Sequence, residues 1–211
     1  MVMQVGERKV RKVRSDKKRD VKPTISVSLK NCLYSLSYVT STPVKDVAVL
    51  ICEKGWQSRK VIEFLAHHFR RDYQFSKTLF IGDWDVESLQ RKYQSPFNER
   101  ITLRFTQGQY EHICRLAHAL DVTPSKATAL LLDASVHNTN IVNAVVKLHL
   151  HGQVDQGRMK ELKNILRYIN EHNPYEEEVS WFAFLAMIVD EMKEGTQNMK
   201  DTLHRWVMRY R

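Results

Sequence analysis

Two stretches of this chain alternate apolar and polar residues at every step, and helix-forming sequence follows each of them. Thr24-Ile25-Ser26-Val27-Ser28-Leu29-Lys30 sets Ile25, Val27 and Leu29 on one face and Thr24, Ser26, Ser28 and Lys30 on the other. Arg100-Ile101-Thr102-Leu103-Arg104-Phe105-Thr106 sets Ile101, Leu103 and Phe105 inward and Arg100, Thr102 and Arg104 outward. A lone strand leaves its ladder unsatisfied and its apolar face bare, so each needs a partner. Either the two strands pair within one chain, or each pairs with a copy in another molecule. They could also lie in an ordinary mixed sheet with solvated polar faces.

The helical sequence after each strand is also repeated. A short helix is expected from about Leu33 to Val39, then Thr42 as a cap with Pro43 at the first helical position, and a second helix to about Lys54, stopped by Gly55. In the second copy, Gly108 precedes Tyr110, Ile113, Leu116, Ala117 and Leu120 at helical spacing, and Thr123-Pro124 opens the next helix. The strands superpose at an offset of 76 residues and the Thr-Pro pairs at 81, so the first copy's first helix reads about five residues shorter. At 81, Val47, Leu50 and Ile51 fall on Thr128, Leu131 and Leu132.

Between the copies, Ser58 to Tyr73 is expected to be helical, with Val61, Ile62, Leu65 and Phe69 on one side, and so is Asp85 to Tyr93, ended by Ser95-Pro96. Leu79-Phe80-Ile81 is too short to assign. Beyond the second copy, helices are expected over Asn138–Leu150 and Met159–His172. Another runs from Asn173-Pro174 to about Glu194, and a last one carries Leu203, Trp206 and Val207. The organisation expected is a basic flexible arm (1–22), a first copy (23–57), a helical spacer (58–98), a second copy (99–137) and a C-terminal helical region (138–211). The fold class is mainly α with a short two-stranded antiparallel β-ribbon.

Charge locates a partner. Lysine and arginine number 33 against 24 acids, a net of +9. Residues 1–22 hold nine basics, among them Arg8, Lys9, Arg11 and Lys12, and three acids, so this arm carries +6 of the total. Such an arm pairs with phosphates and orders on binding, unless it serves only solubility. Trp181 to Val189 is the longest apolar run, nine residues where a membrane span needs roughly 20. The charged N-terminus is unlike a secretory signal and Cys32, Cys52 and Cys114 lack pairable spacing, so a reducing cytoplasm is expected. Gly152 and Gly157 mimic a phosphate loop, but Arg158-Met159 stands where Lys and Ser/Thr are required. No cofactor is called for.

The order strand-helix-helix, with Thr-Pro opening the second helix, resembles the ribbon-helix-helix family of the Met and Arc repressors. That resemblance implies two copies whose strands pair antiparallel and whose outward side chains enter the DNA major groove. Arg100, Thr102 and Arg104 then read bases, as do Thr24, Ser26, Ser28 and Lys30 from the first copy. The helix starts would meet phosphates through Thr42 and Lys45, and through Thr123, Ser125 and Lys126, with the arm's Arg8, Lys9, Arg11 and Lys12. Two copies in one chain resemble the tandem members of conjugative plasmids, which implies an intramolecular pseudo-dimer; a homo-oligomer pairing copy with copy is the alternative.

Asn138-Thr139-Asn140-Ile141-Val142-Asn143, a Gly152 turn and the amphipathic Lys160–Leu166 stretch come after the second copy. Over about residues 100–170 this is similar to the MobC family of plasmid mobilisation accessory proteins, although only Asn140, Ile141 and Asn143 match that family's Asn-rich run. The resemblance implies an auxiliary relaxosome protein, not an enzyme, bound to double-stranded DNA at a transfer origin beside a relaxase. A transcriptional repressor of the same fold would differ only in where its operator lies. His149-Leu150-His151 supplies an enzyme reading: on a strand the two imidazoles share a face, as in metal-dependent nicking endonucleases, with Tyr168 or Tyr175 as nucleophile.

Overall fold

The computed structural model describes residues 18–90, 98–149, 155–171, 173–175 and 178–190. In chain order these form β1 (Arg19–Val21), β2 (Thr24–Ser26), α1 (Val27–Thr40), α2 (Val44–Gln57), α3 (Arg59–Ala66), β3 (Tyr73–Phe75) and β4 (Thr78–Phe80). There follow β5 (Asn98–Arg100), β6 (Leu103–Phe105), α4 (Gln107–Leu120), α5 (Pro124–His137), α6 (Thr139–His149), α7 (Gln156–Asn170) and α8 (Trp181–Asp190). The described chain is mainly helical with short two-stranded antiparallel sheets. None of its described helices is long and apolar enough to cross a membrane.

The repeated strands pair with each other. β1 runs antiparallel to β6, with Asp20 opposite Arg104 and Val21 opposite Leu103, and β2 runs antiparallel to β5, with Thr24 opposite Arg100. Between these ladders Lys22 and Pro23 face Thr102 and Ile101 with no residue left over, and the Ile101 N–H donates to the Pro23 carbonyl at 3.1 Å. The two ladders therefore share one register, and the break between them falls where Pro23 has no N–H to give. Val21, Pro23, Ile25, Leu103 and Phe105 are buried on the inner face.

The first strand begins and ends earlier than the alternation of Thr24 to Lys30 predicts. Ser26 accepts a hydrogen bond from the Leu29 N–H at 3.1 Å and so opens α1, which makes Val27 to Lys30 helical. Leu29, Cys32, Leu33 and Leu36 are buried at helical spacing, and that longer pattern overrides the short alternation.

Moving this boundary puts both copies on one offset. α1 and α4 begin at Val27 and Gln107, α2 and α5 at Val44 and Pro124, and α3 and α6 at Arg59 and Thr139, each pair 80 residues apart. The C-caps Ser41 and Asp121 share a left-handed backbone, φ 52° and 53°, and each returns its N–H to the carbonyls three and four residues back. The first helix of the first copy is not shorter: both have 14 residues. Residues 58–66 and 138–149, expected as spacer and C-terminal region, are the matching third helices of the two copies.

The core is built around the crossing of α2 and α5. Gly55 does not stop α2; it lies buried inside it, where a Cβ would sit 2.0 Å from the Ser135 hydroxyl of α5. The two residues stand 80 apart, so the repeat meets itself here. α3 and α6 each pack on both α2 and α5, burying Val61, Ile62 and Leu65 from one and Ile141, Val142, Val145 and Val146 from the other.

Beyond the third helices the copies diverge. α7 lies along α1 with Met159, Leu162, Ile165, Leu166 and Ile169 buried. The β3–β4 hairpin instead sits at the end of α4, where the Arg70 and Arg71 N–H groups both donate to the Ala119 carbonyl. Residues 85–90 form turns rather than the expected helix. α8 starts later than Asn173-Pro174 suggests, because the Asn170 amide bonds both ways with the Val179 backbone and holds the chain off helical geometry. Its expected extension to Glu194, the last helix with Leu203, Trp206 and Val207, and the arm up to residue 17 lie outside the described residues.

Candidate nucleic-acid interface

Alternation sends every second ribbon residue away from the core. Asp20, Lys22 and Thr24 from one strand stand beside Arg104, Thr102 and Arg100 from the other. All are exposed except Thr102, which is half-buried. Arg104 Nε lies 3.2 Å from Asp20 Oδ1, with the two side chains 66% and 48% exposed. Arg19, at the ribbon's edge, donates from Nε to the Gln107 side chain at 3.1 Å.

Of the expected base readers, Thr24, Arg100, Thr102 and Arg104 share this face. Ser28 and Lys30 do not, and Ser26 ends β2 opposite Asn98 with its side chain half-buried. Ser26 is spent capping α1, Ser28 is an exposed residue of that helix, and Lys30 is ion-paired with Glu99 and lies 5.5 Å from the Tyr34 ring. Asp20 and Lys22 take the places that Ser28 and Lys30 were expected to fill. The signal for them was present, since Val21, Pro23 and Ile25 alternate with Asp20, Lys22 and Thr24, but a proline inside the pattern hid it.

The two second-helix starts differ. α5 opens as expected: Thr123 accepts from the Lys126 N–H at 3.3 Å and Pro124 follows at the first helical position. At α2 the expected cap is corrected, because Pro43 occupies the capping position and the Thr42 hydroxyl donates to the Thr40 carbonyl at 3.1 Å. Lys45 is exposed in that first turn beside Asp46. The start of α5 is more enclosed. Gln90 takes the Thr123 N–H at 2.9 Å, and desolvation lowers the Lys126 amine from its ordinary pKa. Thr123, Ser125 and Lys126 line a cavity of about 460 Å³ with Thr24, Ser26 and Asn98 at the adjoining ribbon end. The expected phosphate contacts Arg8, Lys9, Arg11 and Lys12 lie outside the described residues.

Of the asparagines in the run that resembles the mobilisation family, Asn138 caps a helix and Asn143 is packed inside, while Asn140 is exposed. Asn138 Oδ1 accepts from the Asn140 N–H at 3.1 Å at the start of α6, and buried Asn143 donates to the Met187 sulfur. For the nicking-enzyme reading, the strand it needs is not formed up to His149, which is the last residue of helix α6; His151 lies outside the described residues. Tyr168 donates to Asp133 and Tyr175 to the Ala134 carbonyl, and burial raises the pKa of both phenols. Among the described residues no three His, Cys, Asp or Glu side chains converge as a metal would need.

No protein-family model matches this chain, and neither a curated protein nor a solved structure matches it.

Proposed function

We propose that this chain is a sequence-specific double-stranded DNA-binding protein of the ribbon-helix-helix kind, built as an intramolecular pseudo-dimer that lays its ribbon in the major groove. One observation carries the reading: the outward ribbon side chains Lys22, Thr24, Arg100, Thr102 and Arg104 offer hydrogen-bond donors on a single face whose reverse is apolar core. A B-DNA major groove admits a two-stranded ribbon, where arginine takes guanine O6 and N7 together and threonine meets a base edge or the thymine methyl. Lys45 at α2 and Thr123, Ser125 and Lys126 at α5 are assigned to flanking phosphates, and so are the basic residues of the arm. These position the ribbon without reading sequence.

Within that class we place the protein as an auxiliary relaxosome component, a binding protein rather than an enzyme, working in the cytoplasm beside a relaxase. This rests on the similarity of residues 100–170 to mobilisation proteins.

The test is capture of fragmented DNA from the host element on the full-length protein, wild type beside Arg104→Ala, followed by sequencing. Retention should peak at a transfer origin, and the variant should lose about 1 to 3 kcal/mol of specific binding while keeping its nonspecific affinity. A peak at the protein's own promoter would replace the relaxosome role with repression. Flat retention, the same for both proteins, would remove base reading altogether.

A further inference from the structure

The outward face of the ribbon has two unlike ends. Lys22 and Thr102 are 80 residues apart and stand opposite each other, so the internal twofold passes between them. That operation matches Asp20 to Arg100 and Thr24 to Arg104. One end of the face therefore shows Arg104 with Asp20, and the other shows Arg100 with Thr24. A carboxylate in a groove lined by phosphates costs affinity, so its presence at an outward position asks for a use.

The atoms of the ion pair supply one. Asp20 Oδ1 lies 3.2 Å from Nε of Arg104, so the carboxylate meets the guanidinium at its inner nitrogen rather than at its two terminal nitrogens. Those two nitrogens are the pair that can meet guanine O6 and N7 end-on. The same carboxylate accepts from the N4 amine of the cytosine paired with that guanine and repels an acceptor, such as thymine O4, that takes the cytosine's place. Thr24, opposite Arg100, can do neither as strongly.

We propose that Asp20 is a specificity-determining residue that positions Arg104 for guanine and penalises other bases at that end of the site. The site is then an imperfect inverted repeat, strict at the Arg104 end and tolerant at the Arg100 end, and the chain sits on it in one orientation only. This rests on the DNA-binding reading above.

The experiment is selection from a randomised duplex library with the full chain, followed by competition binding at one fixed salt concentration, for wild type, Asp20→Asn and Asp20→Glu. Asp20→Asn should bind random duplex more tightly while losing about tenfold of base discrimination at one end of the site, with the other end unchanged. Asp20→Glu, which keeps the carboxylate, should recover some of that discrimination. Retention of both end preferences in Asp20→Asn would overturn the role of Asp20 and leave DNA reading intact; equal loss at both ends would show a general structural effect and overturn it as well. A wild type with no base preference would overturn both.

Discussion

At the scale of single residues, Gly55 sets how the two copies can meet. α2 and α5 pack against each other there, and the obstacle to a side chain is the Ser135 hydroxyl, itself bonded to the Leu131 carbonyl, with Leu131 Cδ1 only 3.0 Å away. Gly55→Ala should therefore lower stability by about 1 to 3 kcal/mol despite alanine's better helix propensity, because the new methyl must push the packed helices apart. Urea denaturation measures this; a variant as stable as wild type would mean the helices can separate without loss. From the sequence Gly55 reads as a helix stop, since glycine after a run of helix formers usually is one. Only its equivalence to Ser135 across the repeat distinguishes a contact glycine from a terminal one, and that equivalence depends on the correct offset. The outward arginines are plain for the opposite reason: Arg100 and Arg104 interrupt apolar residues in a pattern that no helix competes for.

Among the elements, strand-to-helix junctions decide what can be read. At the second junction Thr106 ends the strand and forms a reciprocal cap with Gln109: the Gln109 N–H donates to Thr106 Oγ1 at 3.3 Å and the Thr106 N–H to Gln109 Oε1 at 2.9 Å. Thr106→Ala should cost about 1 kcal/mol, seen as a lower midpoint in thermal or urea unfolding, and Thr106→Ser should restore most of it. An unchanged midpoint would mean that water replaces the cap without loss. At the first junction Ser26 caps in one direction only, accepting from the Leu29 N–H, and Val27 and Leu29 prolong the period-two pattern into residues that are helical. That ambiguity, over Val27 to Lys30, displaces the expected first strand, shortens the expected first helix and yields the strand offset of 76, whereas the Thr-Pro offset of 81 comes from Pro43 standing at the cap of α2 and Pro124 inside the first turn of α5. The hairpin β3–β4 is unreadable from sequence for a simpler reason: strands of three residues are shorter than any periodicity that could announce them.

Across the whole molecule, each copy covers the other. The third helix of the first copy leads to the hairpin on α4 of the second, while the third helix of the second leads to α7 on α1 of the first. Together with the ribbon and the α2–α5 crossing, these contacts bind the halves without help from the segment joining them. A protease site placed between Gln90 and Asn98 should therefore yield two fragments that co-elute as one species of unchanged size after cleavage, separating only in denaturant. Fragments that come apart in buffer would show that the linkage, not the interface, holds the copies together. None of this crossing could be read from the sequence, since periodicity describes which face of an element is buried and is silent about what buries it.

The pairing of β1 with β6 and β2 with β5 inside one polypeptide also changes how the ribbon responds to scarcity. A ribbon assembled from two separate chains falls apart on dilution, and the amount of assembled ribbon drops with the square of protomer level when protomers are few. Here the second strand is always present at the effective concentration set by its own tether, so a solitary molecule carries a finished ribbon. If the ribbon binds DNA as proposed above, occupancy of its site should then follow protein level in simple proportion down to a few copies per cell.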